Sequence, residues 1–236
     1  ELPLTGQMTT YSVQEANPAL PDYTSESAST ATAWSTGQKT SDGRVSTAPG
    51  TDADLPTILE LAQEAGYRTG NVATSELTDA TPAAPMAHVR LRACHGPLDM
   101  APCPQDAKPA GPGSIAEQSV DKGVDVLLGG GKARYDQVIT GGPDAGKTVT
   151  QSAVEQGYTV VTDRAGLLAA DADKVLGLFS PGNMSMEFTG LPAAKPASGP
   201  QRCLENQRPA NEPSLAEMTA KALELLTRSD GRGRGK

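Results

Sequence analysis

Aromatic residues are scarce here: one Trp, two Phe and five Tyr in 236 residues. A core without large rings must rest on Ala, Val and Leu, and the periodic apolar segments described below exclude full disorder. Long apolar runs are missing too. A bilayer span needs about 20 such residues, so membrane insertion is excluded as an expectation. No basic stripe offsets the net charge of -8, which argues against nucleic acid. The short basic tail Gly231–Lys236 reads as a solvated loop. No leader peptide is visible, so a secreted protein would be seen here in mature or partial form.

Cysteine is sparse and odd in number: Cys94, Cys103 and Cys203. Cys94 and Cys103 flank "HGPLDMAP", a loop of disulfide-like length, and Cys203 is left over. No CxxC pair exists, and His95 beside Cys94 is a single candidate, so a zinc site is a poor alternative. The expected arrangement is a Cys94–Cys103 disulfide in an oxidising compartment, with any partner of Cys203 outside this chain.

What is abundant is alternation. "PTILELAQEAG" predicts a helix with Ile58, Leu59, Leu61, Ala62 and Ala65 on one apolar face. "YRTGNVAT" follows as a short strand. "TPAAPMAHV" reads as helix limited or kinked by Pro85. Ser114 and Glu117 form a capping box that opens another helix. "VDVLLGGG" reads as a buried strand, "TVTQSAVEQG" as helix, and "YTVVTD" and "VLGLFS" as strands. Ser214 and Glu217 cap a last helix carrying Leu215, Met218, Ala222, Leu225 and Leu226. Strands alternating with helices predict an α/β fold around a mostly parallel sheet. The Pro-rich stretch Gly190–Pro213 reads as a long surface excursion.

Three stretches bear on chemistry. "GGPDAGKT" places Gly141, Gly146, Lys147 and Thr148 at the spacing of a nucleotide-binding P-loop. The preceding "KARYDQVIT" is a weak strand, however, and Pro143 removes an amide from the phosphate cradle, so a polar turn before a helix is the better reading.

The second stretch is "TSESASTATAWSTG". Ser27 at the start of a helix would sit where backbone amides and the helix dipole favour an anion, with small Ala28 and Ala31 leaving the approach open. A hydroxyl-rich helix cap explains the same residues. The third is "TSELTDATPAAPMAHVRLRAC". Asp79 and Thr81 offer two hard oxygens suited to magnesium, and Arg92 a fork suited to phosphate. A helix cap before Pro82 and a solvated charge are the open alternatives.

Taken together, these stretches resemble the alkaline phosphatase family, in its bacterial secreted branch. The resemblance runs through "LPLTGQ", "SASTATAWSTGQKT", "PTILELAQEAG", "TGNVATSELTDATPAA", "AHVRLRAC", "LLGGGKA", "GLFSPGNM" and "PSLAEMTAKALELL". It implies a three-layer α/β/α sandwich, incomplete here, as one domain over residues 1–236. It implies hydrolysis of phosphate monoesters, with Ser27 as the nucleophile that becomes phosphoserine and Arg92 as the phosphate-holding arginine. Asp79 and Thr81 match magnesium ligands, Ser27 also meets zinc, and Cys94 and Cys103 match a disulfide pair. Two zinc ions and one magnesium are the implied cofactors, and a periplasmic or secreted homodimer the implied setting.

The chain departs from the family pattern in three ways. An acidic metal-ligand motif is expected before residue 1, and the zinc ligands beyond the last helix. Neither His88 nor His95 matches a ligand, so the chain alone is expected to be inactive. Glu26 stands where the family usually has Asp and is expected to position Arg92. The rival functions are a P-loop module at Gly141–Thr148 and a non-catalytic phosphate-binding protein.

Overall fold

Val126–Gly130 is buried along its whole length, as a strand enclosed on both faces must be. A computed structural model describes residues 6–190 and 202–228. In chain order the elements are β1 (Ser12–Val13), β2 (Pro21–Asp22), α1 (Ser27–Thr36), α2 (Ile58–Glu64), β3 (Gly70–Glu76), α3 (Ala80–Ala83), α4 (Ile115–Asp121), β4 (Val126–Gly130), α5 (Lys132–Tyr135), α6 (Val149–Glu155), β5 (Thr159–Val161), α7 (Arg164–Ala169), β6 (Val175–Leu178), β7 (Phe188–Thr189), β8 (Leu204–Glu205) and α8 (Leu215–Leu226).

The central sheet has the order β3-β4-β6-β5, and every pairing in it is parallel. Alternate side chains leave opposite faces of such a sheet. Leu127 and Leu176 enter one apolar cluster with Ala116, Val120, Val149 and Ala153 of α4 and α6. Val126, Leu128 and Val175 enter another with Leu167 of α7 and Met218, Ala222 and Leu225 of α8. Helices therefore cover both faces, which is the expected three-layer arrangement. Truncating one fully buried leucine, such as Leu127, costs about 2–5 kcal/mol in cores of this kind.

The capping boxes form as expected. Ser114 accepts from the Glu117 amide while Glu117 Oε2 accepts from the Ser114 amide at 2.8 Å. Ser214 and Glu217 repeat the arrangement on α8. Gly130 is required by close approach, because a Cβ there would lie 2.1 Å from the Gly182 carbonyl oxygen.

The apolar face of α2 and the excursion from Gly190 need correction, whereas the helix limited by Pro85 and the polar turn in place of a P-loop are found as expected. On α2 only Leu59 is buried, whereas Ile58 and Leu61 are 59% and 50% exposed. The apolar stripe predicts a face but not what covers it. "TPAAPMAHV" yields one helical turn, Ala80–Ala83, ended ahead of Pro85. The excursion from Gly190 is narrower than expected, since β7 and β8 pair antiparallel across its base; residues 191–201 lie outside the described residues. The P-loop geometry does not form. A short helix, α5, precedes the glycines in place of a strand, and Lys147 pairs with Asp144 and Glu155 at 2.9 and 2.5 Å. Thr148 serves as the N-cap of α6.

A third apolar cluster joins α1 to α3 through Ala28, Ala31, Ala80, Ala83, Ala84 and Ala87, with Cys94 and Cys103 behind them. Ala28 and Ala31 thus face inward. Their smallness brings two helices close together and does not serve to open a path to Ser27.

Candidate active site

Helix α1 begins at Ser27 because Glu26 caps it. Oε2 of Glu26 accepts from the Ala28 amide at 2.8 Å and Oε1 from the Ser29 amide at 3.1 Å. Two of the free amide donors at the helix start are thereby satisfied. Oε1 also accepts from the Gly43 amide at 2.8 Å, and Oε2 from Arg92 Nη1 at 2.5 Å. Burial pushes the Glu26 pKa up, but the Ala28, Gly43 and Ser29 amides and Arg92 outweigh it and hold the carboxyl below its ordinary value. Glu26 is therefore ionised at neutral pH.

Arg92 is the hub. Nη1 donates to Ser27 Oγ at 2.5 Å as well as to Glu26, and Nη2 donates to Asp79 Oδ1 at 2.6 Å. Burial lowers its pKa, yet Glu26 and Asp79 together raise it above the ordinary arginine value. Asp79 stands at the C-terminal end of the sheet, just after β3, and caps α3 by accepting from the Ala80 amide at 2.8 Å. Ligand sites in parallel sheets characteristically sit at that end of the strands. Four residues that the sequence singles out, Glu26, Ser27, Asp79 and Arg92, are thus in one contact network. An open cleft of about 490 Å³ adjoins Asp79, lined among others by Thr74, Ser75, Asn183 and Phe188.

Thr81 lies in the first turn of α3 and is exposed. His88 is buried elsewhere, between the Ser46 carbonyl at 2.8 Å and Glu60 at 3.0 Å. His95 bonds the Thr78 carbonyl through Nδ1 at 2.9 Å. The expected disulfide joins Cys94 to Cys103, and Cys203 is free and exposed. The bridge lies two residues past Arg92 and so fixes the chain leaving it.

Metal ions are a separate question. Among the described residues no three His, Cys, Asp or Glu gather to hold one. The residues expected as ligands are Asp79 and Thr81 for magnesium and Ser27 for zinc, three oxygens in all. Magnesium takes six ligands and zinc four, so this set does not by itself fit either ion.

Sequence reasoning missed Asp42 and Gly43. Asp42 Oδ1 accepts from Ser29 Oγ at 2.7 Å and from the Glu26 amide at 3.4 Å. The one signal was the Asp-Gly pair, which marks a turn and carries no chemistry of its own.

The chain matches the family model "Alkaline phosphatase" over residues 1–233. Streptomycin-6-phosphate phosphatase of Streptomyces griseus is 51% identical over 230 residues, covering 96% of this chain and 51% of that protein. Alkaline phosphatase of Escherichia coli K12 is 45% identical over 245 residues, covering 97% and 50%. The crystal structure of Thermus thermophilus alkaline phosphatase superposes with a TM-score of 0.66 at 28% identity, covering 94% of this chain and 38% of that one. The chain spans about half the length of these curated relatives.

Proposed function

We propose, because this chain belongs to the alkaline phosphatase family, that it carries the nucleophile and phosphate-holding part of a phosphate monoester hydrolase. One observation carries the reading. Ser27 Oγ, at a helix start, lies 2.5 Å from a guanidinium supplied from 65 residues away. A hydroxyl and a fork at one point are what in-line transfer of a phosphoryl group to serine requires.

Arg92 would bind two phosphate oxygens and place phosphorus against Ser27 Oγ. The Ser27 oxygen would form the new P–O bond as the alcohol departs, leaving a phosphoserine that water then hydrolyses. Within this chain the Ser27 hydroxyl faces Glu26 Oε2 at 3.4 Å. That carboxylate is too weak a base, being held below its ordinary pKa. Glu26 is therefore not the base for Ser27. The metals of the family, two zinc ions and one magnesium, would supply Lewis-acid charge, and of their ligands this chain would offer Asp79 and Thr81 to the magnesium and Ser27 to zinc. The Cys94–Cys103 bridge supports an oxidising, periplasmic or secreted setting. A homodimer is the assembly that the family suggests. The name of the Streptomyces griseus relative makes streptomycin 6-phosphate a substrate to set beside p-nitrophenyl phosphate.

Orthophosphate titration of the chain by calorimetry tests the core of this reading. Binding is expected for the wild type and lost at least about a hundredfold in Arg92→Ala. Equal affinity in the two proteins would overturn it.

A further inference from the structure

The turn Ser41–Arg44 touches the site through the Asp42 side chain, which accepts from the Glu26 amide and Ser29 Oγ, and through the backbone of Gly43. The Arg44 amide donates to the Ser41 carbonyl at 3.3 Å, and Gly43 takes φ +84° at the third position. The Gly43 N–H donates to Glu26 Oε1 at 2.8 Å, while the Gly43 carbonyl accepts from the Arg92 amide at 2.7 Å. One residue thus holds the carboxylate by one edge and the arginine backbone by the other. Beyond it, Val45 and Val89 exchange both backbone hydrogen bonds at 3.1 Å, so residues 43–45 and 89–92 run antiparallel.

The turn is anchored from behind. Arg44 is buried and forks onto Glu15, Nε to Oε2 at 2.7 Å and Nη2 to Oε1 at 2.6 Å. It also donates to Thr47 Oγ1 at 3.0 Å and Asp52 Oδ1 at 2.5 Å. Ser41 Oγ donates to the same Glu15 carboxylate. Both ends of the turn are therefore tied to Glu15.

We propose that Gly43 is a positioning residue, and that its anchored peptide fixes Glu26 relative to Arg92 so that the guanidinium fork meets phosphate correctly. The proposal rests on the reading of Ser27 and Arg92 as a phosphate site. Gly43 is needed for two reasons. A positive φ strains most side chains, and a Cβ would lie 3.1 Å from Leu91 Cδ2, next to Arg92. Asn tolerates the left-handed region better than Ala does.

The test uses this chain with orthophosphate as the probe. Affinity is measured by calorimetry, alongside melting temperature and the guanidinium ¹⁵N resonances of Arg92. Gly43→Ala is expected to weaken phosphate binding at least about tenfold and to shift the Arg92 resonances. Gly43→Asn, which relieves the backbone strain but keeps the Cβ contact with Leu91, is expected to recover at least about threefold of the affinity that Gly43→Ala loses. Glu15→Gln loosens the anchor without touching the site, and is expected to weaken binding about threefold or more. If Gly43→Ala does not fold, Glu15→Gln decides. Folded Gly43→Ala and Glu15→Gln proteins that bind within twofold of wild type, while Arg92→Ala has lost binding, would overturn the positioning role. Undiminished binding by Arg92→Ala would instead overturn the phosphate site itself.

Discussion

Glu26 and Ser27 share one donor: Arg92 Nη1 lies 2.5 Å from Glu26 Oε2 and 2.5 Å from Ser27 Oγ. The carboxylate and the hydroxyl beside it thus lean on the same nitrogen, and any change in one is felt by the other.

Glu26→Asp tests that sharing. The longer glutamate reaches the Ala28, Ser29 and Gly43 amides and Arg92 together. Aspartate, one methylene shorter, keeps the helix cap but cannot also span to the guanidinium without moving the backbone. Orthophosphate affinity is expected to fall at least about threefold, equivalent to about 0.65 kcal/mol or more. Calorimetry on the two proteins checks it, and equal affinities would show that Glu26 does not set Arg92.

Catalysis by the isolated chain is expected to be close to background. With p-nitrophenyl phosphate at saturating zinc and magnesium, wild type and Ser27→Ala should be indistinguishable, because among the described residues no ligand group gathers to build the metal sites. Metal-dependent turnover that disappears in Ser27→Ala would show that the ligand set suffices.

The cysteines make a mapping prediction. Digestion without reduction should give a Cys94–Cys103 linked peptide, with Cys203 open to alkylation. Reduction should lower stability by about 2–3 kcal/mol, from the loop-closure entropy of a short ring, and lower the melting temperature.

Acid stability should depend on Glu15. The Arg44 fork, opposed by burial and helped by Ser41 and Gly50, holds its pKa at about 2 against an ordinary 4.5. A depressed carboxyl stabilises the fold above the unfolded pKa and loses that contribution as pH falls through the folded one. In Glu15→Gln, stability at pH 7 should drop, and the acid limb between about pH 4.5 and 2 should flatten. Half of the Glu15 side chain is exposed, so the effect is modest. Denaturant midpoints taken across that range decide, and an unchanged limb would exclude the fork.

How much of this could be read from residues varied with the kind of signal. Ser114, Glu117, Ser214 and Glu217 announced two helices because a capping box is a local device, complete within four residues. The run from Val124 announced a buried strand by composition alone. Glu26, Ser27, Asp79 and Arg92 were found through family resemblance, since nothing in their spacing says that residue 92 returns to residue 27. Ile58 and Leu61 misled because periodicity cannot show which faces find a neighbour. Ala28 and Ala31 misled because a small residue suits a close helix contact as well as an open approach. Gly43 was invisible because its contribution is a peptide group, which every residue has.

Arg92 has one more consequence, for assembly. The groups around it come from the start of α1, the end of β3 and the segment ahead of the disulfide, three parts of the chain far apart in sequence. A ligand that engages Arg92 and Ser27 together would bind the folded state and not the open chain, raising stability by RT ln(1 + [L]/Kd), about 2.7 kcal/mol at a hundredfold excess over Kd. On the proposed function, phosphate would then act as mortar for the fold as well as product of the reaction, and the chain would be at its loosest where phosphate is scarce.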